Sequence, residues 1–248
     1  MKKQGKVLLI GFIGIVIFFF IPLNYYLIAP GEVFNLKDIV LVPTGQEKNH
    51  LYAPSVAVYE NKYFSLINTT WFNKLNTNLF YLIYAGLSPL VEAEKLSDFL
   101  PKGTTSEQYE AAMLATTNSS VNNLKYVVAA RLNKTVDELN LTINVSAEGP
   151  SVAVAFALEA INQLQEEDIT QGLKIGAVGN IDKDGKVYAV GAVKQKIIAA
   201  ERAQIDIIFI PLKDYTDDIK KRESKITIVP ITAIDEAIAY LNKKKKEE

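Results

Sequence analysis

Between Val7 and Gly31 the chain carries no charged side chain, and the six residues before that run include three lysines. Its core, "VLLIGFIGIVIFFFIPLNYYLI", is too long and too apolar for ordinary water-facing surface. At about 1.5 Å per residue it is long enough for one helix across a bilayer. The sequence therefore predicts a cytoplasmic N-terminus over 1–6 and a transmembrane anchor over 7–29. Tyr25 and Tyr26 then sit where interfacial aromatics belong, and the lysine bias sets the orientation. A cleaved signal peptide is the competing reading. Its apolar region would be unusually long, and Pro30 follows Ala29, the only small residue placed to end a cleavage site. Either way the remainder is expected outside the cytoplasmic membrane.

In the 248 residues, 27 lysines and arginines nearly balance 28 aspartates and glutamates, so no global field points to nucleic acid. No cysteine is present, which excludes disulfides, thiolate metal sites and a cysteine nucleophile. Five Asn-x-Ser/Thr matches read as products of an Asn-rich composition.

After the anchor, "KDIVLVPTG" and "PSVAVYENKYFSLINTTW" read as strands, with "ENK" as a hairpin turn. "NLFYLIYAGL" and "SPLVEAEKLSDFL" read as helices, although the first also suits a buried strand. "TSEQYEAAMLATTNSSVNNLKYVVAARL" has helical composition around a polar break, with a capping-box pattern at Thr105–Gln108. "LNLTINV" is an alternating strand that leads to Gly149 and a largely apolar helix ending near Gln165. "GLKIGAVGNI" and "GKVYAVGAV" are strands joined by the tight turn "DKDG". That turn is no calcium loop: its glycine comes too early and the twelfth-position glutamate is absent. Helix "VKQKIIAAERA", strand "IDIIFIP", helix "DYTDDIKKR", strand "KITIVP" and helix "AIDEAIAYLNK" follow, and "KKKKEE" reads as a solvated tail over 243–248. The alternation predicts an α/β or α+β domain over 32–242, helices against one mixed sheet.

Two side chains carry candidate chemistry. Ser151 stands at a helix start, where unpaired N–H groups and the positive end of the dipole collect. From this stretch alone it reads first as an ordinary cap, with a nucleophile whose oxyanion those groups would stabilise as the alternative. A serine nucleophile needs a base. The only histidine, His50, lies in the polar stretch "GQEKNHLY" and reads as solvated. A lysine serves instead when burial lowers its pKa. On a helix over 193–203, Val193, Ile197 and Ala200 share one side and Lys196 projects into that stripe. Lys194 projects elsewhere, beside Glu201. Lys196 is therefore the candidate base, with snorkelling out of the stripe as the alternative.

Read together, these segments resemble the Lon-type serine peptidases, which use a Ser–Lys dyad. Gly149-Pro150-Ser151-Val152-Ala153 looks like that family's Gly-Pro-Ser-Ala-Gly. Val178-Gly179-Asn180-Ile181 is similar to its Thr-Gly-x-Ile strand, and Asp184-Gly185-Lys186-Val187 to its x-Gly-x-Val turn. Val190-Gly191-Ala192, then Lys196, resembles Ile-Gly-Gly-x-x-x-Lys. The N-terminal half, from "YYLIAPGEVFNL" through "TTSEQYEAAML", looks like the membrane-anchored bacterial branch that carries a PDZ domain. Here "NKTVDEL" leaves no room for one.

The resemblance implies a Lon proteolytic-domain fold with the site in 132–242. It implies Ser151 as nucleophile, Lys196 as base, and Gly149, Pro150, Val152, Val178, Gly179 and Gly191 around the oxyanion and substrate groove. It further implies an ATP-independent serine endopeptidase without cofactor or metal, held at the cytoplasmic membrane. Its partners would be an exported or membrane-bound peptide or protein substrate and further copies of itself, since Lon-type domains often form rings. The chain also departs from the pattern. Val152 and Ala153 replace Ala-Gly, Val178 replaces threonine, and Tyr188 and Ala192 replace small or glycine positions. Bulk beside a glycine-built site blocks close substrate approach. A catalytically weakened fold acting as a membrane-bound binding protein is the alternative.

Overall fold

A computed structural model describes residues 3–20, 23, 25–42, 48–59, 77–99, 103–104, 106–144 and 149–245. In chain order the elements are α1 (Lys3–Phe20), β1 (Tyr25–Asn35), β2 (Val40–Leu41), β3 (Tyr52–Tyr59), α2 (Leu79–Leu87), β4 (Glu92–Lys95), α3 (Leu96–Phe99), α4 (Ser106–Leu132) and β5 (Thr142–Ile143). They continue with α5 (Ala153–Leu164), β6 (Ile175–Ala177), β7 (Asn180–Ile181), β8 (Val187–Tyr188), α6 (Val193–Arg202), β9 (Ile207–Pro211), α7 (Asp217–Lys220), β10 (Thr227–Ile231) and α8 (Ile234–Lys244). The chain forms two compact units, one of Met1–Pro30 with Ala57–Ser106, the other of Gly31–Val56 with Glu107–Glu248.

The first unit corrects two expectations. The apolar run is not one helix over 7–29: α1 ends at Phe20 and the chain is extended from Tyr25. With Lys3 and Lys6 in its first turns, the apolar part of α1 is Val7–Phe20, about 21 Å of helix against about 30 Å of hydrocarbon. Among the described residues no helix is long and apolar enough to cross a membrane. Nor is "SPLVEAEKLSDFL" helical from its start. Pro89 follows the end of α2, and Glu92–Lys95 alternate as β4, antiparallel to β1 with Ile28 opposite Glu92 and Tyr25 opposite Lys95. The Tyr26 hydroxyl donates to Glu94 Oε2 at 2.6 Å across that pair. The hairpin at "ENK" and the capping box at Thr105 lie outside the described residues.

The second unit is the expected mixture of helices on a mixed sheet. Its strands run β10-β9-β6-β3-β1. The β10–β9, β9–β6 and β6–β3 pairs are parallel, as strands separated by helical crossovers must be. β9 reads "IIFIP" and is buried at every residue, the continuous apolar pattern of an interior parallel strand. Helix α5 is buried from Ala153 to Gln163 because β2, β6, β7 and α8 all pack on it. Even its polar residues Glu159, Asn162 and Gln163 are buried.

The expected break within 106–132 does not occur; α4 is continuous over 27 residues. Its polar run is absorbed by the helix. Thr116, Thr117 and Ser120 donate to the carbonyls four residues earlier at 2.8, 2.8 and 2.9 Å. The strand expected over "GLKIGAVGNI" splits into β6 and β7 around Val178-Gly179, where Gly179 has φ +145°. The "DKDG" turn forms as predicted, joining β7 to β8 with Ile181 opposite Val187. Asp182 holds it by accepting from the amides of Asp184 and Lys186, both at 3.0 Å, and from the Tyr188 hydroxyl at 2.8 Å.

Candidate active site

Ser151 occupies a single 3₁₀ turn, Pro150–Val152, that runs directly into α5. Gly149 precedes it at φ +74°, a left-handed conformation that selects glycine. Pro150 suits the first turn of a helix, where its missing N–H costs nothing. Ser151 itself is only partly buried, whereas Val152 and Ala153 are buried in the main core with the rest of α5. The side chains that differ from the family's Ala-Gly therefore face the core.

The strand beside the serine is tied to it through the backbone. Gly179 N–H donates to Ser151 O at 2.7 Å, and Val154 N–H donates to Gly179 O at 3.2 Å. Ala153 N–H donates to Pro150 O. The amides of Ala153 and Val154 at the helix start are thus already engaged, which removes them from the set of oxyanion donors expected there. On the other side, Val178 N–H donates to Phe209 O of β9 at 3.0 Å.

Val178 is completely buried in a second apolar cluster with Val193, Ile197 and Ala200 of α6 and Ile208 and Ile210 of β9. Lys196 lies on that same helix and is 5% exposed. The Val178–Gly179 segment thus connects the two candidates, bonded to Ser151 on one side and packed with the turns around Lys196 on the other. Burial pulls the Lys196 ammonium down from 10.5 to about 8, while the negative charge of Asp214 works in the opposite direction.

Asp214 is the acidic neighbour of Lys196 that sequence reading missed. It ends the 3₁₀ turn after β9, and its Oδ2 accepts from Val190 N–H at 2.9 Å. Burial raises its pKa most strongly, against that hydrogen bond and the charge of Lys196. Its sequence context, "PLKDYTDD", offers several acidic residues and no period to separate them; only the path of β9 does. Ser120 and Asn123 were likewise missed. Ser120 Oγ donates to Asn180 Oδ1 at 2.7 Å and Asn123 Nδ2 to Ile181 O at 3.2 Å, so the polar stretch of α4 positions β7.

The remaining candidates fall as follows. Gly191 is exposed, and Ala192, the residue before α6, adopts the left-handed conformation at φ 55°, ψ 38°. Tyr188 is 39% exposed. Glu201 accepts from Arg222 Nη2, and from Ser224 Oγ at 2.8 Å. His50 is not a solvated loop residue. Its Nδ1 lies 2.7 Å from Glu159 Oε1, a carboxylate fully buried in α5 that also accepts from Leu51 N–H at 2.7 Å and Gln163 Nε2 at 2.5 Å. The histidine is committed to fastening its loop to the core helix.

The structure thus places a hydroxyl at the start of α5 and a buried lysine on α6, with the Val178–Gly179 segment bonded to the one and packed with the helix of the other. Residues 125–243 match the family model of the Lon protease (S16) C-terminal proteolytic domain. The chain is 33% identical over 100 residues to the Lon protease of Aster yellows witches'-broom phytoplasma, covering 39% of this chain and 12% of the relative. It is 35% identical over 97 residues to the Lon protease of Trichlorobacter lovleyi, covering 38% and 12%, and 31% identical over 97 residues to the archaeal Lon protease of Archaeoglobus fulgidus, covering 38% and 15%. The similarity supports a peptidase, and it spans a small fraction of those relatives' length.

Proposed function

We propose that this protein is a membrane-attached serine endopeptidase that works outside the cytoplasm without ATP. The observation that carries the reading is Lys196. An amine held near pKa 8 by burial supplies neutral base at ordinary pH, which a solvated lysine does not. Neutral Lys196 takes the proton of Ser151 as Oγ attacks the peptide carbonyl, and backbone N–H groups at the start of the Ser151 turn stabilise the oxyanion. Lys196 then returns the proton to the leaving amine, and water hydrolyses the acyl-enzyme. Attachment is supported by the uncharged run from Val7 and by the exposed apolar side chains of α1, among them Leu8 at 74% and Ile10 at 69%. The extracytoplasmic side rests on the three lysines before that run. The match with Lon proteolytic domains supports a peptide or protein substrate.

The test is labelling by a fluorophosphonate probe together with hydrolysis of unfolded casein. Labelling and cleavage by the full chain, both lost in Ser151→Ala and both lost in Lys196→Arg, are the expected results, because a guanidinium stays protonated. Absence of Ser151-dependent labelling and cleavage would retire the peptidase and leave a binding protein built on the same fold.

A further inference from the structure

α2 carries Phe80, Ile83, Tyr84 and Leu87 at spacings of i, i+3, i+4 and i+7, the pattern by which a helix normally buries one face. Here that face is open: the four are 41%, 45%, 50% and 82% exposed. Only Ala85 of the helix is buried. No charged residue occurs between Lys74 and Glu92. We infer that α2 is a second membrane-contacting element, lying along the bilayer interface with Phe80, Ile83, Tyr84 and Leu87 in the acyl chains. The inference rests on the membrane attachment proposed above.

Three observations select lipid as the occupant. First, α2 is joined to α1. Phe80 stacks on Phe19 with ring centroids 5.6 Å apart and meets Phe18 edge-on at 6.2 Å, so the two apolar surfaces are continuous. Second, α1 exposes apolar side chains around its whole circumference, Val7, Leu8, Ile10, Phe12, Ile13 and Ile17 among them. A protein groove covers one stripe of a helix, whereas acyl chains cover every side. Third, the polar backbone at the junction is satisfied from within. Asn78 Nδ2 donates to the Phe19 carbonyl at 2.7 Å, while Asn78 Oδ1 accepts from Tyr81 N–H at 3.1 Å and caps α2. Leu23 N–H donates to Thr77 O at 2.6 Å. Away from water, such groups must find partners within the protein. α2 itself spans nine residues, about 13 Å, so it lies in the interface rather than crossing it.

The absence of native cysteine makes the test direct. Single cysteines replace Ile13, Leu87 or Lys220 in the full chain, each labelled with an environment-sensitive nitrobenzoxadiazole dye. The proteins are bound to phosphatidylcholine–phosphatidylglycerol vesicles with and without nitroxide-bearing acyl chains. Quenching at positions 13 and 87, with none at 220 on the exposed α7, is the expected result. Quenching at 13 alone would overturn the role of α2 and keep the attachment. Quenching at neither 13 nor 87 would overturn both. A blue-shifted but unquenched dye at 87 would show the stripe covered by protein, which also overturns the inference.

Discussion

The amide of Gly179 donates to the carbonyl of Ser151 at 2.7 Å, and the carbonyl of Gly179 accepts from the amide of Val154, one turn further along the helix start, at 3.2 Å. This reciprocal pair fixes the height of the serine against the strand. It requires glycine twice over: φ is +145°, and a Cβ would lie 2.9 Å from Val154 Cγ2 and 3.0 Å from Val187 Cγ1. Gly179→Ala is expected to destabilise the fold by about 2 kcal/mol or more and to lower fluorophosphonate labelling of whatever protein remains folded. Urea unfolding and labelling in parallel check both. Full stability and labelling would show that the strand tolerates the methyl and that this pair does not set the site.

The pH dependence of turnover should be that of Lys196. Activity is expected to rise through about pH 8 as the ammonium loses its proton. Asp214 opposes that loss, since its negative charge favours the cation. Asp214→Asn keeps an acceptor for Val190 N–H while removing the charge. The rising limb of kcat against pH should therefore move to lower pH, with activity at pH 7 gaining relative to the plateau. An unmoved limb would mean that Asp214 does not act on the lysine.

The same burial makes a stability prediction of defined sign. In the unfolded chain Lys196 titrates near its ordinary 10.5, and in the folded protein near 8. Between those values the unfolded state holds a proton that the folded state has released, so stability gains from rising pH across that window. Below pH 8 both states are cationic and folding bears the cost of burying the charge. Lys196→Met fills similar volume without it. It should stabilise the protein at pH 7 by on the order of 3 kcal/mol and lose most of that advantage by pH 10, while abolishing turnover. Thermal unfolding at both pH values checks the difference. A pH-independent effect would mean that Lys196 reaches solvent.

How much of this was legible in the sequence follows the range of the forces involved. The apolar stripe of Val193, Ile197 and Ala200 beside Lys196 was readable because helix periodicity is local, but whether the amine stayed within it or snorkelled out was not. β9 was readable as a strand from its unbroken apolar run, although the direction of its neighbours was not. The end of α1 at Phe20 was not. Nothing in the apolar run charges or breaks the pattern before Pro22, and the strand from Tyr25 exists because Glu92–Lys95 pair with it, a partnership nearly seventy residues distant. The polar break in α4 failed for a similar reason. Ser120 and Asn123 look like helix breakers until Asn180 and Ile181 are placed beside them. His50 looked solvated because Glu159, its partner, lies more than a hundred residues away in an otherwise apolar helix.

Ala192 is the departure with the most direct physical cost. It stands immediately before α6 in the left-handed conformation, and its carbonyl accepts from Lys196 N–H at 3.2 Å. For an L-residue with a Cβ, that conformation costs roughly 1 kcal/mol relative to glycine. The strain sits on the residue that sets where the lysine helix begins. Ala192→Gly should therefore stabilise the protein by about 0.5–1 kcal/mol, the relief of strain exceeding the added freedom of the unfolded chain. The neighbouring Gly191 is exposed and nothing lies within 4 Å of where its Cβ would be, so Gly191→Ala supplies the contrast: it adds a methyl in open space. If relief at Ala192 also lets α6 settle, casein hydrolysis should rise in Ala192→Gly with the pH of its rising limb unchanged, because the surroundings of the Lys196 amine are untouched. Urea midpoints and pH–rate profiles of the two variants make the comparison. A loss of stability in Ala192→Gly would show that the left-handed turn is not the source of strain at the start of the lysine helix.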